Sequence, residues 1–89
     1  MLDEIRSTAN RTIGTRQTRK ALERDDVVKI FVARDAKEDV VDPVVEMGQE
    51  QQVEIEYVDS MIQLGQACGI AVGAAVAAVL RDESTPSNP

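Results

Sequence analysis

The sequence predicts an α/β fold with helices on both faces of one sheet, and three observations predict it. Val27-Val28-Lys29-Ile30-Phe31-Val32-Ala33 is a β-branched run with the character of a central strand. Val53-Glu54-Ile55-Glu56-Tyr57-Val58 alternates apolar and polar residues, as a strand does. Around these two runs lie stretches with helix caps and breakers, so strands and helices alternate along the 89 residues without an internal repeat. A chain of this length makes one small domain with a modest core. That domain is expected over residues 1–81, with 82–89, polar and proline-containing, as a disordered tail.

Taken in order, residues 2–9 form a short helix, with Leu2, Ile5 and Arg6 at helical spacing, and Thr12-Ile13 a brief strand leading into Gly14. Thr15 is suited to cap the next helix, because its hydroxyl can accept an amide proton of the first turn. Arg34 to Asp39 then reads as a charged loop after the central strand. Asp42-Pro43 reads as the N-cap and first-position proline of a helix through about Gln51, which crosses over between neighbouring strands. In the alternating strand Val53, Ile55 and Tyr57 face the core, while Glu54 and Glu56 decorate the other side and guard an edge. Asp59-Ser60 caps a helix from Met61 to Cys68, and Gly69 suits the position just past its end. The run from Ala71 to Leu80 is compatible with a buried helix or a buried strand. Gly73 and the turn before it favour a strand after a loop.

Composition excludes several functions. Histidine is absent and the single Cys68 cannot form an intrachain disulfide, so zinc sites and histidine-based catalysis are excluded and neither metal nor cofactor is expected. Cys68, in apolar surroundings, reads as a buried filler in a reducing cytosol. One Phe, one Tyr and no Trp are too few rings for domains that bind RNA by stacking bases on an aromatic platform. The charged N-terminus shows no signal peptide, and the longest apolar run is too short to span a bilayer, so the expected setting is cytoplasmic. The net charge of −6 is unevenly spread. Residues 1–24 hold six bases against three acids, +3, and residues 25–89 hold four bases against thirteen acids, −9. A basic pole on an acidic body repels phosphate everywhere else, which favours a small, oriented footprint.

The basic pole centres on Ile13-Gly14-Thr15-Arg16-Gln17-Thr18-Arg19-Lys20-Ala21-Leu22-Glu23-Arg24. In a helix starting near Arg16, the side chains of Arg16, Arg19 and Lys20 share one face of the first turns. Cations there oppose the macrodipole, which favours acids at a helix N-terminus. An arriving anion removes that cost, and phosphate is the usual one. Read from this stretch alone, a solvated helix whose cations serve solubility fits equally well.

Three segments in order, Ile13 to Leu22, Phe31-Val32-Ala33-Arg34-Asp35-Ala36 and Leu64-Gly65-Gln66-Ala67-Cys68-Gly69-Ile70, resemble the ribosomal protein family seven-Ae/thirty-e, and within it the small bacterial members. The resemblance runs from about residue 2 to residue 81. It implies a three-layer α-β-α sandwich with a four-stranded mixed sheet, the last run being a strand. It also implies a noncatalytic protein that binds kink-turn RNA, ribosomal or riboswitch, with neither DNA nor membrane as partner. Carried over by position, Gly14 lets the backbone approach the RNA closely. Arg16 and Gln17 face the groove at the G·A pairs, and Lys20 reaches a guanine edge or phosphate. Thr15 and Arg19 belong to the same RNA-binding stretch. The loop Ile70-Ala71-Val72 packs on bases extruded from the bulge, which need an apolar surface.

Four positions depart from the archaeal and eukaryotic pattern: Arg16 for a common Asn, Gln17 for a common Glu, Met61 for a frequent lysine, and Ala71 for a polar residue. These bear on affinity rather than ligand class. Fold alone does not fix function, so a protein-interaction adaptor using the acidic body and the edge at 54–57 stands as the alternative. A hydrolase built on Asp35, Glu38, Asp39 and Asp42 is disfavoured, since no histidine or nucleophile accompanies these acids.

Overall fold

The computed structural model describes residues 3–81. Along the chain run α1 (Asp3–Ser7), β1 (Arg11–Ile13), α2 (Thr15–Glu23), β2 (Val27–Ala33), α3 (Glu38–Glu50), β3 (Glu54–Val58), α4 (Met61–Ala67) and β4 (Val76–Leu80). The strands form one mixed sheet in the order β1-β4-β2-β3. β2 and β3 are parallel, with Ile30 opposite Ile55 and Val32 opposite Tyr57, and α3 is the crossover between them. β4 is antiparallel to both neighbours, with Ile13 opposite Ala77 and Val32 opposite Val76. The expected tail at 82–89 and Leu2 lie outside the described residues.

Helices cover both faces. α1 and α4 bring Ile5, Leu64, Ala67 and Cys68 onto Phe31, Ala33, Val58 and Ala77. α2 and α3 bring Ala21, Leu22, Val41 and Val44 onto Ile30, Val32, Val76 and Ala78. Burial on two sides is why β2 reads as a continuous apolar run. A register shift between Val27 and Lys29 interrupts the β2–β4 ladder, and Val28 is exposed there.

Lys29 is the exception within that run. Its side chain is only 7% exposed, and Nζ lies 2.5 Å from Glu4, 2.8 Å from Glu56 and 3.3 Å from Glu54. The same ammonium lies 5.1 Å from the centroid of the Phe31 ring. Hydrogen bonds to Glu4 and then to Glu56 hold the lysine well above its usual pKa. Glu54 and Glu56 lie on the far side of the edge strand β3 as expected, Glu54 largely exposed, but both are engaged with Lys29 rather than left to solvent, and with Glu4 they fasten α1 to the sheet through a buried cation.

Two further expectations need correction. α3 starts at Glu38, not at Asp42-Pro43, so most of the 34–39 loop is shorter than expected and Pro43 lies inside the helix. Glu38 and Asp39 suit the first turn through the macrodipole. Pro43 forfeits a bond only to the carbonyl of exposed Asp39, while starting early lets the helix bury Val41 as well as Val44. Tyr57 does not face the core either. It is 45% exposed at the rim of the edge strand, with the Arg34 guanidinium 5.5 Å from its ring centroid.

The helix ends follow one pattern. After α4 the amides of Gly69 and Ile70 donate to the carbonyls of Gln66 and Gly65, with Gly69 at φ 77°. α2 ends likewise through Asp25 at φ 59°, and α3 through Gln52 at φ 61°. Ser60 caps α4 as expected, its Oγ accepting from the Gln63 amide at 3.1 Å.

Candidate functional site

α2 leaves β1 through Gly14, whose φ of 94° and ψ of 163° belong to a region that glycine alone occupies comfortably. No atom lies within 4 Å of where a Cβ would stand, so backbone conformation, not crowding, demands glycine here. The Gly14 amide donates to the Val76 carbonyl at 2.7 Å. Thr15 does not cap the helix: Gly14 holds the N-cap position, Thr15 is the first helical residue, and no side chain caps the turn. Thr18 does the polar work instead. Its hydroxyl donates to the Gly14 carbonyl at 2.8 Å and lies 2.8 Å from that of Thr12, both threonines being buried.

Thr18, Ala21 and Leu22 turn inward, which leaves Arg16, Gln17, Arg19 and Lys20 exposed. A shallow groove runs along this face between Thr15, Arg16, Arg19, Lys20 and Glu23. No acid stands in the first turn. Among the described residues, none of Arg16, Arg19 and Lys20 forms an ion pair. The other bases of the pole differ. Arg11 is a structural tie, donating through Nη1 to the carbonyls of Ile5 (2.9 Å) and Thr8 (3.3 Å) and through Nη2 to that of Cys68 (2.6 Å). Arg24 faces Asp26 at 3.6 Å.

The second part of the site is the loop at 70–75. Ile70 is half-buried against the core, whereas Ala71 and Val72 are exposed, Val72 at 70%. An exposed valine in a loop with glycine on either side is held out by its backbone. The Ala74 amide donates to the Met61 carbonyl at 3.0 Å. A Cβ on Gly65 would stand 2.1 Å from the Val72 carbonyl oxygen, and one on Gly73 would stand 2.9 Å from the Met61 Cβ. The loop thus lies directly on the backbone of α4. Sequence reasoning missed this seat, and its one signal was a glycine inside a helical pattern.

Three backbone bonds string the strand ends in a row. Gly14 reaches Val76, Ala33 donates to Ala75 at 2.9 Å, and Arg34 donates to Val58 at 2.8 Å. The start of α2, the 70–75 loop and the 34–37 turn therefore share one end of the sheet. Asp35 serves structure there, its Oδ1 accepting from the Met61 amide at 2.8 Å. Among the described residues, no group of three or more His, Cys, Asp or Glu is placed to hold a metal. No described helix is long and apolar enough to cross a membrane. Cys68 is buried, and burial pushes its thiol pKa up, in keeping with a packing role.

The model of the ribosomal protein L7Ae/L30e/S12e/Gadd45 family matches residues 2–87. The chain belongs to this family. An RNA-binding protein of Halalkalibacterium halodurans is 46% identical over 77 residues, 86% of this chain and 94% of that protein. The large ribosomal subunit protein eL8 of Halobacterium salinarum is 38% identical over 80 residues, 89% of this chain and 67% of that one. Among solved structures, the 15.5 kD RNA binding protein of Giardia lamblia superposes with a TM-score of 0.84. It covers 93% of this chain and 72% of its own, at 21% identity, so it shares the fold. The family's three-layer architecture is the one this chain forms.

Proposed function

We propose that this protein is a noncatalytic RNA-binding protein that recognises kink-turn RNA, with the cytoplasm as its setting and ribosomal or riboswitch RNA as its target class. One observation carries the reading: the 2.7 Å bond from the Gly14 amide to the Val76 carbonyl, which joins the unpaired cations of α2 to the end of the apolar 70–75 loop. In this reading, Gly14 admits the RNA backbone, and Arg16, Gln17, Arg19 and Lys20 meet groove edges and phosphates beside Thr15. Ile70, Ala71 and Val72 offer apolar surface to extruded bases. A bent RNA exposes guanine edges that a regular A-form groove hides, so a helix end can read them. Relatives named RNA-binding proteins, nearly coextensive with this chain, support the same ligand class.

Gln17 brings a neutral amide acceptor where a carboxylate would accept with charge assistance, and Arg16 adds a cation that offsets the loss. The adaptor alternative has no observation in its favour, since the carboxylates of the 54–57 edge are committed to Lys29. Neither DNA nor a membrane is part of the proposal.

The test is titration of a kink-turn duplex and a straight duplex of equal length, with wild type and Lys20→Ala, across a salt series. The bent RNA should bind more tightly, and Lys20→Ala should lose about tenfold, as expected for one charge-assisted hydrogen bond. Equal binding of the two duplexes by the wild type would refute the reading.

A further inference from the structure

The row of strand ends continues past the 70–75 loop to a feature the proposed interface does not use. Arg34 follows β2, one strand over from β4, and its side chain crosses to the ring of Tyr57 on β3. Adjacent strands lie about 5 Å apart, so this pair stands roughly 10–15 Å from Gly14 along the same end of the sheet. Arg34 is exposed and, among the described residues, forms no ion pair despite the acidic body around it. The Tyr57 ring backs its guanidinium.

We infer that Arg34, backed by Tyr57, is a stacking site for an unpaired base of the RNA strand that runs past the 70–75 loop. The inference rests on the proposed RNA-binding function and extends its footprint across the sheet. Guanidinium planes stack on bases as aromatic rings do. Arg34 and Tyr57 themselves line a groove with Val32, Ala36 and Val41, and the carboxylates of Glu38 and Asp42 line it beside the guanidinium. Those carboxylates repel a phosphate, whereas the uncharged face of a base remains acceptable. The occupant is thus a base and not the backbone. Tyr57 is a positioning residue, and Arg34 makes the contact.

The experiment compares a minimal kink-turn duplex with the same duplex carrying a three-nucleotide single-stranded extension on either strand. Wild type should bind one extended RNA about tenfold more tightly than the minimal one, the effect of one stacked base. Arg34→Ala and Tyr57→Leu should abolish that gain while binding the minimal duplex as wild type does. Tyr57→Phe should retain it. Arg34→Lys, which keeps the charge without the plane, should lose it. Because Tyr57 is the sole tyrosine in a chain without tryptophan, its emission, corrected for RNA absorbance, should fall only with the extended RNA.

Equal affinity for minimal and extended duplexes overturns the inference and leaves kink-turn binding standing. A gain that Arg34→Lys preserves overturns it too, by assigning the effect to charge. If wild type does not prefer kink-turn RNA at all, both proposals fall. If the variants are silent with every RNA yet abolish binding of a protein partner, the pair belongs to a protein surface and the inference is likewise overturned.

Discussion

Gly65→Ala separates the proposed RNA-binding site from the fold that carries it. The new Cβ would stand 2.1 Å from the Val72 carbonyl oxygen and 3.1 Å from both the Val72 carbonyl carbon and the Gly73 Cα. All three are backbone atoms, so no side chain can rotate away. A carbon and an oxygen need about 3.3 Å, so the loop must retreat by roughly 1 Å. Forcing an extra methyl into a packed contact costs about 1–3 kcal/mol, and replacing a mid-helix glycine by alanine returns about 1 kcal/mol. The net change in stability should be at most about 2 kcal/mol, read from the urea midpoint at constant slope. RNA affinity should fall further, by tenfold or more, because the displaced segment carries Ala71 and Val72. Gly48→Ala is the control: its Cβ would meet the Ile30 Cδ1 at 2.6 Å, a side-chain tip far from the loop, so it should alter stability and leave affinity alone. Wild-type RNA affinity in folded Gly65→Ala would refute the assignment of the loop to the interface.

Three further outcomes rest on the backbone, Arg11 and the Lys29 cluster. Gln52→Gly should stabilise the protein by about 0.5–1 kcal/mol and raise Tm by roughly 4 °C, since the left-handed conformation at φ 61° strains any side chain; an unchanged or lower Tm would count against it. Arg11→Ala removes a half-buried tie to three carbonyls and should cost about 2 kcal/mol in urea unfolding while leaving the RNA salt dependence unchanged. The Lys29 cluster sets the pH profile. Hydrogen bonds to Lys29 hold Glu4 and Glu56 below the usual 4.5, so their contribution is complete above that pH and lost as pH falls through their lowered values. The raised lysine contributes fully below its usual 10.5 and loses stability only in more alkaline solution. Urea midpoints should therefore be flat from pH 6 to pH 9 and fall in acid, and Lys29→Met, which removes the largest of the bonds that lower both carboxylates, should shrink that acid limb.

What was legible in the sequence was whatever depends on local pattern. The β-branched run at 27–33, the Ser60 cap and the Gly69 exit carry their structure in adjacent residues, and the sheet returned them as read. Pro43 misled because a proline after an aspartate is a strong start signal, whereas burying Val41 depends on a sheet that the local pattern does not display. Tyr57 was read by alternation, which assigns a face but not the distance to the rim. Lys29 interrupts an apolar run as an ordinary surface lysine would, and only β3 and α1 together supply its three acids. In the proposed site, Gly14, Arg16 and Lys20 announce themselves through the glycine-led basic stretch. Gly65 does not, because its meaning lies in a loop that folds back onto it from residues 72–73.

The basic pole is smaller in space than it is along the chain. Six bases precede residue 25, but Arg6 belongs to α1 and not to this face, Arg11 is spent on carbonyls and Arg24 faces Asp26, so the exposed, unpaired cations of α2 are Arg16, Arg19 and Lys20. Each phosphate neutralised contributes about −0.7 to −0.9 to the slope of log affinity against log salt concentration. Three give roughly −2 to −3, against about −4 to −5 for all six. A shallow slope means that counterion release supplies only part of the affinity. The remainder must come from contacts insensitive to salt, which in the proposed interface are the close approach at Gly14 and the apolar loop at Val72. An acidic body of this kind rejects RNA that cannot use those contacts, so discrimination between bent and straight duplexes should survive at high salt. A slope steeper than −4, with discrimination vanishing as salt rises, would show that charge and not shape governs binding.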